Sequence, residues 1–357
     1  MKVKLIIILL LMMLVGTACE RTLEFDDPTQ AAADDMAVNA IAVAGTPFKV
    51  YLNHVYLVNK IPPMQYYGSG SSIQMKDDGS FDYRSNEYYQ RTAISDASIE
   101  ITVNEQTKYQ MSYDEDNFSY VCNYVPDEGD HVEVNIIAGE QEVHAETDVP
   151  SKPKIEIISH EVIPENPYSQ MGNLTSYSDT IMQLTCRISD IGGEQYYRLR
   201  VRSERTSYDR TSNGDYVYYT MQDVFFSDDE LFVDKRLSSN FGGWQAYFSN
   251  VFDNTFMKGK TYSFTLDSPK AGNHSFTSYN PFSGELSKDG EIIPSRVMVE
   301  LQAISPELYK YLKSMQLYRI SPNDGYAEPV QIYSNVQNGW GIFGALSYDR
   351  HFVEFGE

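Results

Sequence analysis

Hydrophobic and polar residues alternate with a period of two along much of the chain between residues 38 and 150. The alternating apolar positions are Ala97, Ile99, Ile101, Val103, Tyr109, Met111, Tyr113, Tyr120, Cys122, Tyr124, Val132, Val134, Ile136, Val143 and Ala145. Because successive side chains of a strand point to opposite faces, each run predicts a strand with one buried face. Turn residues separate the runs at spacings typical of an antiparallel sandwich. The pattern predicts a mainly β chain that opens with an immunoglobulin-like or transthyretin-like β-sandwich over residues 38–150.

A second, larger β-rich domain is predicted over residues 154–357. Pro150 and Pro153 mark the junction, because two prolines this close forbid both a helix and a central strand. The strand candidates beyond the junction are Ile181–Ser189, Tyr196–Arg202, Tyr216–Phe226, Thr261–Leu266 and Val297–Ile304.

One or two short helices are expected within this second domain. Ser305 is a suitable N-cap, and Pro306 occupies the first turn, where its missing N–H costs nothing. The apolar stripe of the helix is Leu308, Tyr311, Leu312 and Met315. A shorter helical turn is predicted after Ser227, with Ser227 and Glu230 as a reciprocal capping pair.

The N-terminus has the pattern of a lipoprotein leader. Lys2 and Lys4 precede an apolar run from Leu5 to Val15, which is too short to span a bilayer as a helix. Small residues then lead to Cys19, so we predict a signal peptide over residues 1–18 and a lipid anchor on Cys19. An acidic tether with little to bury follows over residues 19–37.

Charge limits the classes of partner. The net charge is −22, so phosphate backbones repel the chain and nucleic acid is not an expected partner. The predicted contact with the membrane is therefore made by the lipid. Cys122 and Cys186 alternate with apolar residues on two predicted strands, so we interpret both as unpaired core residues in different domains.

The residues that usually signal catalysis are scattered. No two of the six histidines have the spacing of a metal-protease motif, and the sequence lacks a nucleophile elbow or a phosphate-binding glycine loop. Acidic residues are too abundant for any pair to be informative. We therefore predict a protein that is not an enzyme, with no catalytic residues, no cofactor and no metal site, and leave calcium binding open.

Three arginines and two tryptophans are the candidate contact residues. Arg198, Arg200 and Arg202 alternate with apolar residues, so they should share one face of a strand. Pairing with neighbouring acids of the sheet is one interpretation, and binding an anionic ligand or acidic partner is the other. Trp244 and Trp340 are candidates for a partner interface, although aromatic residues also suit pleated sheets in general.

The segment Ser334-Asn335-Val336-Gln337-Asn338-Gly339-Trp340-Gly341-Ile342-Phe343-Gly344 is the most distinctive part of the sequence. It resembles a family of Bacteroidota lipoproteins known only as a domain of unknown function, number 4249 in that series. The leader, the opening sandwich, the proline junction and the helix after Ser305 are similar to that family as well. Its glycines predict close backbone approach, with Ile342 and Phe343 as anchors.

The resemblance implies an outer-membrane lipoprotein, a class often found beside TonB-dependent nutrient transporters. We therefore expect an accessory or ligand-binding partner of such a transporter, on a membrane face that the sequence leaves open. An adhesin or surface-structure subunit and, less readily, a glycan-active hydrolase are the alternatives. Asp179-Thr180-Ile181 also resembles the O-glycosylation pattern of these bacteria, which makes Thr180 a candidate acceptor.

Overall fold

The computed structural model describes residues 35–55, 74–75, 81–82, 92–165, 167, 180–211, 214–234, 248–270, 294–320 and 330–356. The predicted leader, the anchor Cys19, most of the tether and Trp244 lie outside these residues. Within the described part of the chain, no helix is both long and apolar enough to cross a membrane.

Strands dominate the described residues, as the two-residue periodicity predicts. They are β1 Met36–Val43, β2 Lys49–His54, β3 Gln74–Met75, β4 Phe81–Asp82, β5 Ser98–Val103, β6 Thr107–Gln110, β7 Ser112–Asp114, β8 Ser119–Val121, β9 His131–Ala138, β10 Gln141–Asp148, β11 Lys154–Ile163, β12 Ile181–Ser189, β13 Tyr196–Thr211, β14 Gly214–Asp223, β15 Val251–Asp253, β16 Thr261–Pro269, β17 Arg296–Ile304 and β18 Trp340–Glu354. Helix α1 covers Pro306–Ile320, and a 3-10 helix covers Glu230–Phe232. The prediction of a mainly β chain is confirmed.

The described strands form one long sheet and three smaller ones. The long sheet has the order β14-β13-β17-β18-β1-β2-β8-β7, and β15 also pairs with β13. The smaller sheets have the orders β10-β9-β5-β6, β11-β12-β16 and β3-β4. The pairs are antiparallel except for β1 with β18, which run parallel from Ala37 opposite Trp340 to Val43 opposite Leu346. The long sheet therefore joins strands from both ends of the chain.

Strand β18 contributes to two cores because of its length. Its first half pairs with β1, and its second half pairs with β17 from Leu346 onward. Phe343 and Ala345 pack in the first core with residues of β1, β5, β9 and β10. The N-terminal sandwich is thus completed by side chains that lie some 300 residues later in the sequence.

The second core lies among β12, β13, β16 and β17. Many of its aromatic side chains pack edge to face, including Phe225, Phe232, Phe252 and Phe264. These rings serve packing, as β propensity alone predicts. Cys186 is in this core and Cys122 packs against the first one; both thiols are free, as predicted.

The helix after Ser305 is confirmed, with one correction at the shorter helical turn. The Ser305 hydroxyl accepts a hydrogen bond from the Leu308 N–H at 3.3 Å, which is the predicted cap. The 3-10 helix is capped by Asp229, whose carboxylate accepts from the Leu231 N–H at 2.9 Å. The predicted cap at Ser227 was wrong because the helical turn begins only at Glu230, which makes Asp229 the N-cap. The Ser227 hydroxyl donates to the Thr265 carbonyl at 2.6 Å and accepts from the Asp229 N–H at 3.3 Å.

Asp190 fixes the turn that leads into β13. Its buried carboxylate accepts hydrogen bonds from the Tyr197 hydroxyl at 2.7 Å, the Asn254 amide at 2.9 Å and the backbone N–H groups of Gly192 and Gly259. Burial alone would raise the pKa of Asp190, but these hydrogen bonds lower it below 3.8. The anion therefore holds the start of β13 against the turn before β16.

Replacing Asp190 by Asn is expected to destabilise the protein by about 1.5–3 kcal/mol near neutral pH, because the charged acceptor is lost. Since the folded pKa is depressed, this stabilisation is present above the ordinary Asp pKa and disappears as the pH falls through the folded value. Urea unfolding of both proteins across the acidic range should show the difference shrinking on acidification. A difference in unfolding free energy that stayed the same in acid would contradict this role. Glu140→Gln, in an exposed turn, is the control.

Candidate functional site

The three predicted arginines share one face of β13. The register places Arg198, Arg200 and Arg202 opposite Gln302, Glu300 and Met298 of β17. The intervening side chains of β13 point into the second core. We call this opposite side the arginine face; its further members are Glu204, Asp223, Arg296, Glu300 and Arg350.

Glu300 is the centre of the arginine face. It is 1 % exposed and lies between two guanidinium groups. The Arg350 Nη2 atom lies 2.5 Å from its Oε2 atom, and the Arg200 Nη1 atom lies 3.7 Å from its Oε1 atom. Gln302 donates to the same Oε1 atom at 2.7 Å, and Arg200 also contacts Asp223 at 2.6 Å. The charges are thus held in one network that crosses four neighbouring strands, β14, β13, β17 and β18.

A second row of charges lies beside the first. Glu204 is buried, and its Oε1 atom accepts from Arg296 Nε at 2.6 Å. Its Oε2 atom lies 3.5 Å from Arg202 Nε. Arg202 also contacts the Met298 sulfur at 3.3 Å. Arg200 and Arg202 therefore pair with acids of the sheet, which is one of the two interpretations offered by the sequence. The contact of Arg200, Arg202 and the half-buried Arg198 with a ligand or partner stays a prediction.

The arginine face has an accessible margin. The Arg350 and Arg296 side chains are 21 % and 28 % exposed and are each placed over an aromatic ring. The Arg350 guanidinium lies 4.7 Å from the centroid of Tyr348, and that of Arg296 lies 4.1 Å from the centroid of Phe352. Phe352 itself is 45 % exposed. We define the margin as Arg296, Arg350, Tyr348 and Phe352, a flat aromatic and cationic surface with fixed side chains.

The sequence analysis did not identify the acids of this site, although β17 contains a pattern that points to one of them. In β17 the apolar residues Val297, Val299, Leu301 and Ala303 face the second core. Glu300 is an acid within a strand whose side chains are buried on both faces. An acid in a strand of this kind indicates a cationic partner on the neighbouring strand, because a buried carboxylate has to be paired.

Other candidate residues lie away from the arginine face. Trp340 is half-buried at the start of β18, and its indole N–H donates to Asp35 at 2.9 Å. Arg350 lies ten positions further along β18, roughly 33 Å away in an extended strand. Thr180 precedes β12, and its carbonyl accepts from the Lys270 N–H at 2.9 Å. The roles of Trp340 in an interface and of Thr180 in glycosylation stay predictions.

The distinctive C-terminal segment, residues 334–344, holds the two ends of the chain together. The Asn335 side chain bonds the backbone N–H and carbonyl of Phe343 at 3.0 and 2.8 Å, and the Glu146 carbonyl at 3.2 Å. Gln337 and His144 exchange backbone hydrogen bonds. Ile342 and Phe343 are buried, as the sequence predicted. We call residues 334–344 the latch.

Gly341 and Gly344 let the latch approach its neighbours. Gly341 has φ +107°, and a Cβ there would lie 1.9 Å from the Val38 carbonyl oxygen. A Cβ on Gly344 would lie 2.8 Å from Leu308 Cβ on α1. The close approach inferred from the glycines is confirmed, and the latch has a structural role.

Several described carboxyl groups are stabilised as anions. In Asp130, Asp190 and Asp349 burial acts to raise the pKa, but hydrogen bonds from backbone and side-chain donors lower it overall. A general acid at neutral pH needs the opposite shift. These groups are therefore suited to holding structure and charge.

Comparison with known proteins gives one family. The model of the domain of unknown function DUF4249 matches residues 29–351. No curated protein matches. A solved structure of a protein from Corynebacterium diphtheriae, described as membrane anchored, is 8 % identical with a TM-score of 0.19. That alignment covers 76 % of this chain and 55 % of the other, and at this TM-score it carries no argument.

Proposed function

The chain belongs to the DUF4249 family, and from that premise we propose that it is a non-enzymatic lipoprotein of the outer membrane that binds an envelope partner. The partner proposed is a TonB-dependent nutrient transporter, to which the protein is an accessory. The leader pattern ending at Cys19 supports the lipid anchor. The resemblance to Bacteroidota lipoproteins supports the location and the partner.

The margin of the arginine face is the observation that carries the binding role. Arginine and aromatic residues are enriched at protein interfaces and among the residues that dominate binding energy. Here they are immobilised before binding, because Arg350 is anchored on Glu300 and Arg296 on Glu204. Ordered side chains lose less conformational entropy on association, which favours binding.

The charge of the margin supports a binding role. Arginines on the accessible margin are complementary to an acidic segment of a partner, in a chain that is otherwise strongly acidic. We therefore place the contact with the transporter on the margin.

Replacing Phe352 by Ala is expected to lower recovery of the transporter from native membranes at least about fivefold, the effect of a residue worth about 1 kcal/mol or more in an interface. The reason is loss of the exposed ring on which Arg296 rests. Phe256→Ala is the matched control, since Phe256 is 54 % exposed and lies in the turn before β16.

Equal recovery with both variants would exclude the margin as the contact surface. Thermal unfolding of the two variants separates a loss of binding from a loss of fold. Recovery of the chain with only further copies of itself would favour the alternative of a self-assembling surface subunit.

A further inference from the structure

One histidine and three acids meet on the outer face of the sheet β10-β9-β5-β6. The register of β9 and β10 places His131 opposite Asp148, and Glu133 opposite Glu146. Because side chains alternate along each strand, these four share the solvent side. Val132, Val134 and Ala145, which alternate with them along the two strands, are buried in the first core. The cluster therefore stands on a rigid antiparallel ladder.

The ring of His131 is oriented for metal binding. Its Nδ1 atom lies 2.8 Å from Asp148 Oδ1, so in the neutral ring Nδ1 carries the proton and Nε2 carries the free lone pair. Nε2 lies 3.5 Å from Glu133 Oε1 and 4.0 Å from Glu146 Oε2. A carboxylate on the far nitrogen of a ligating histidine is the usual arrangement in zinc sites, where it fixes the tautomer and raises basicity.

The separation of the ligand atoms fits a small divalent ion. Zinc bonds of about 2.0–2.1 Å in tetrahedral geometry place neighbouring ligand atoms roughly 3.4 Å apart. The three candidate ligand atoms all lie within 4.8 Å of one another. Zinc binding therefore requires the flexible glutamate side chains to rotate and bring these atoms closer together.

The charges of the same cluster also favour a cation. Glu133 and Glu146 are directly opposite each other, and like charges in that position destabilise a strand pair. Lys108, on the same face, is held by Glu100 at 2.6 Å. His131 lies beside three acids, Glu133, Glu146 and Asp148.

We propose that His131, Glu133 and Glu146 bind a divalent transition-metal ion of the zinc class, with Asp148 as the positioning residue for His131. Histidine nitrogen favours zinc over calcium or magnesium, which prefer oxygen ligands. Nothing in the chain's motifs indicates this site, because its ligands come from two strands and meet only through their register. The proposal replaces the expectation that the protein has no metal site.

The test is calorimetric titration of the purified full chain with zinc sulfate alone. We expect one saturable site in the native protein, at least tenfold weaker binding in His131→Ala, and a 10- to 100-fold loss in Asp148→Asn. His144→Ala is the matched control, because His144 is on the same face of β10, opposite Asn135, and outside the cluster. It should bind zinc like the native chain.

A thermal shift gives a second readout. Zinc should raise the melting temperature of the native chain and of His144→Ala, and raise that of His131→Ala less, since the stabilisation by a ligand falls as its affinity falls. Absence of saturable binding, or equal losses in His131→Ala and His144→Ala, would overturn the proposal. So would equal binding of calcium, which would mark the cluster as an unspecific acidic surface.

Discussion

Gly341→Ala is expected to lower the free energy of unfolding by more than about 4 kcal/mol, a loss reserved for severe steric or core damage. A methyl group at this position would overlap the Val38 carbonyl oxygen, at 1.9 Å. The Val38 carbonyl and the Gly341 Cα belong to the paired backbones of β1 and β18, so the overlap cannot be relieved without disturbing the register. The same change forces an L-residue to adopt φ +107°. We expect the two ends of the chain to separate at the latch.

Chemical unfolding of Gly341→Ala and Gly139→Ala measures how much of the lost free energy of unfolding comes from the steric overlap. Gly139 also has a positive φ, +59°, but nothing lies within 4 Å of a Cβ placed on it. Its replacement should cost only the roughly 1–2 kcal/mol of left-handed backbone. If both variants lost the same stability, close approach at the latch would not explain Gly341.

Glu300→Ala is expected to lower the free energy of unfolding by about 3–5 kcal/mol, because it removes the buried carboxylate that lies between Arg200 and Arg350. Arg200 is 6 % exposed and would keep Asp223 alone. Arg350 would lose both of its contacts to the Glu300 carboxylate. The loss should therefore far exceed that of an ordinary surface carboxylate.

Glu354→Ala is the matched control for this change, since Glu354 is an exposed residue of β18 on the same sheet. Its replacement should change stability by less than about 0.5 kcal/mol. Denaturant unfolding of both variants gives the comparison. A cost for Glu300→Ala as small as that of Glu354→Ala would mean that the network contributes little to the fold.

Local patterns predicted the elements well, because each depends on residues close in sequence. The alternation around Ile99, Ile101 and Val103 gave β5, and Ser305 with Pro306 gave the start of α1. The shared face of Arg198, Arg200 and Arg202 follows from the same two-residue period. Ser227 and Asp229 are both suitable N-caps, and the local pattern did not show which of them caps the 3-10 helix.

The partners of these elements could not be predicted from the sequence. A strand's period specifies which side chains face the core, but not which strand it pairs with. The pairing of β1 with β18 therefore carries no local signal, nor does the placement of Glu300 between Arg200 and Arg350. The cluster of His131 depends on the same kind of long-range register.

The most direct test of the proposed function is a mild-detergent pull-down of the tagged, lipidated protein from its native membrane, with quantification of the co-purifying proteins. The proposal predicts a TonB-dependent transporter in near-equal amount, and its loss with Phe352→Ala but not with Phe256→Ala. Recovery of the protein alone, or of a transporter that both variants retain equally, would contradict binding through the margin of the arginine face.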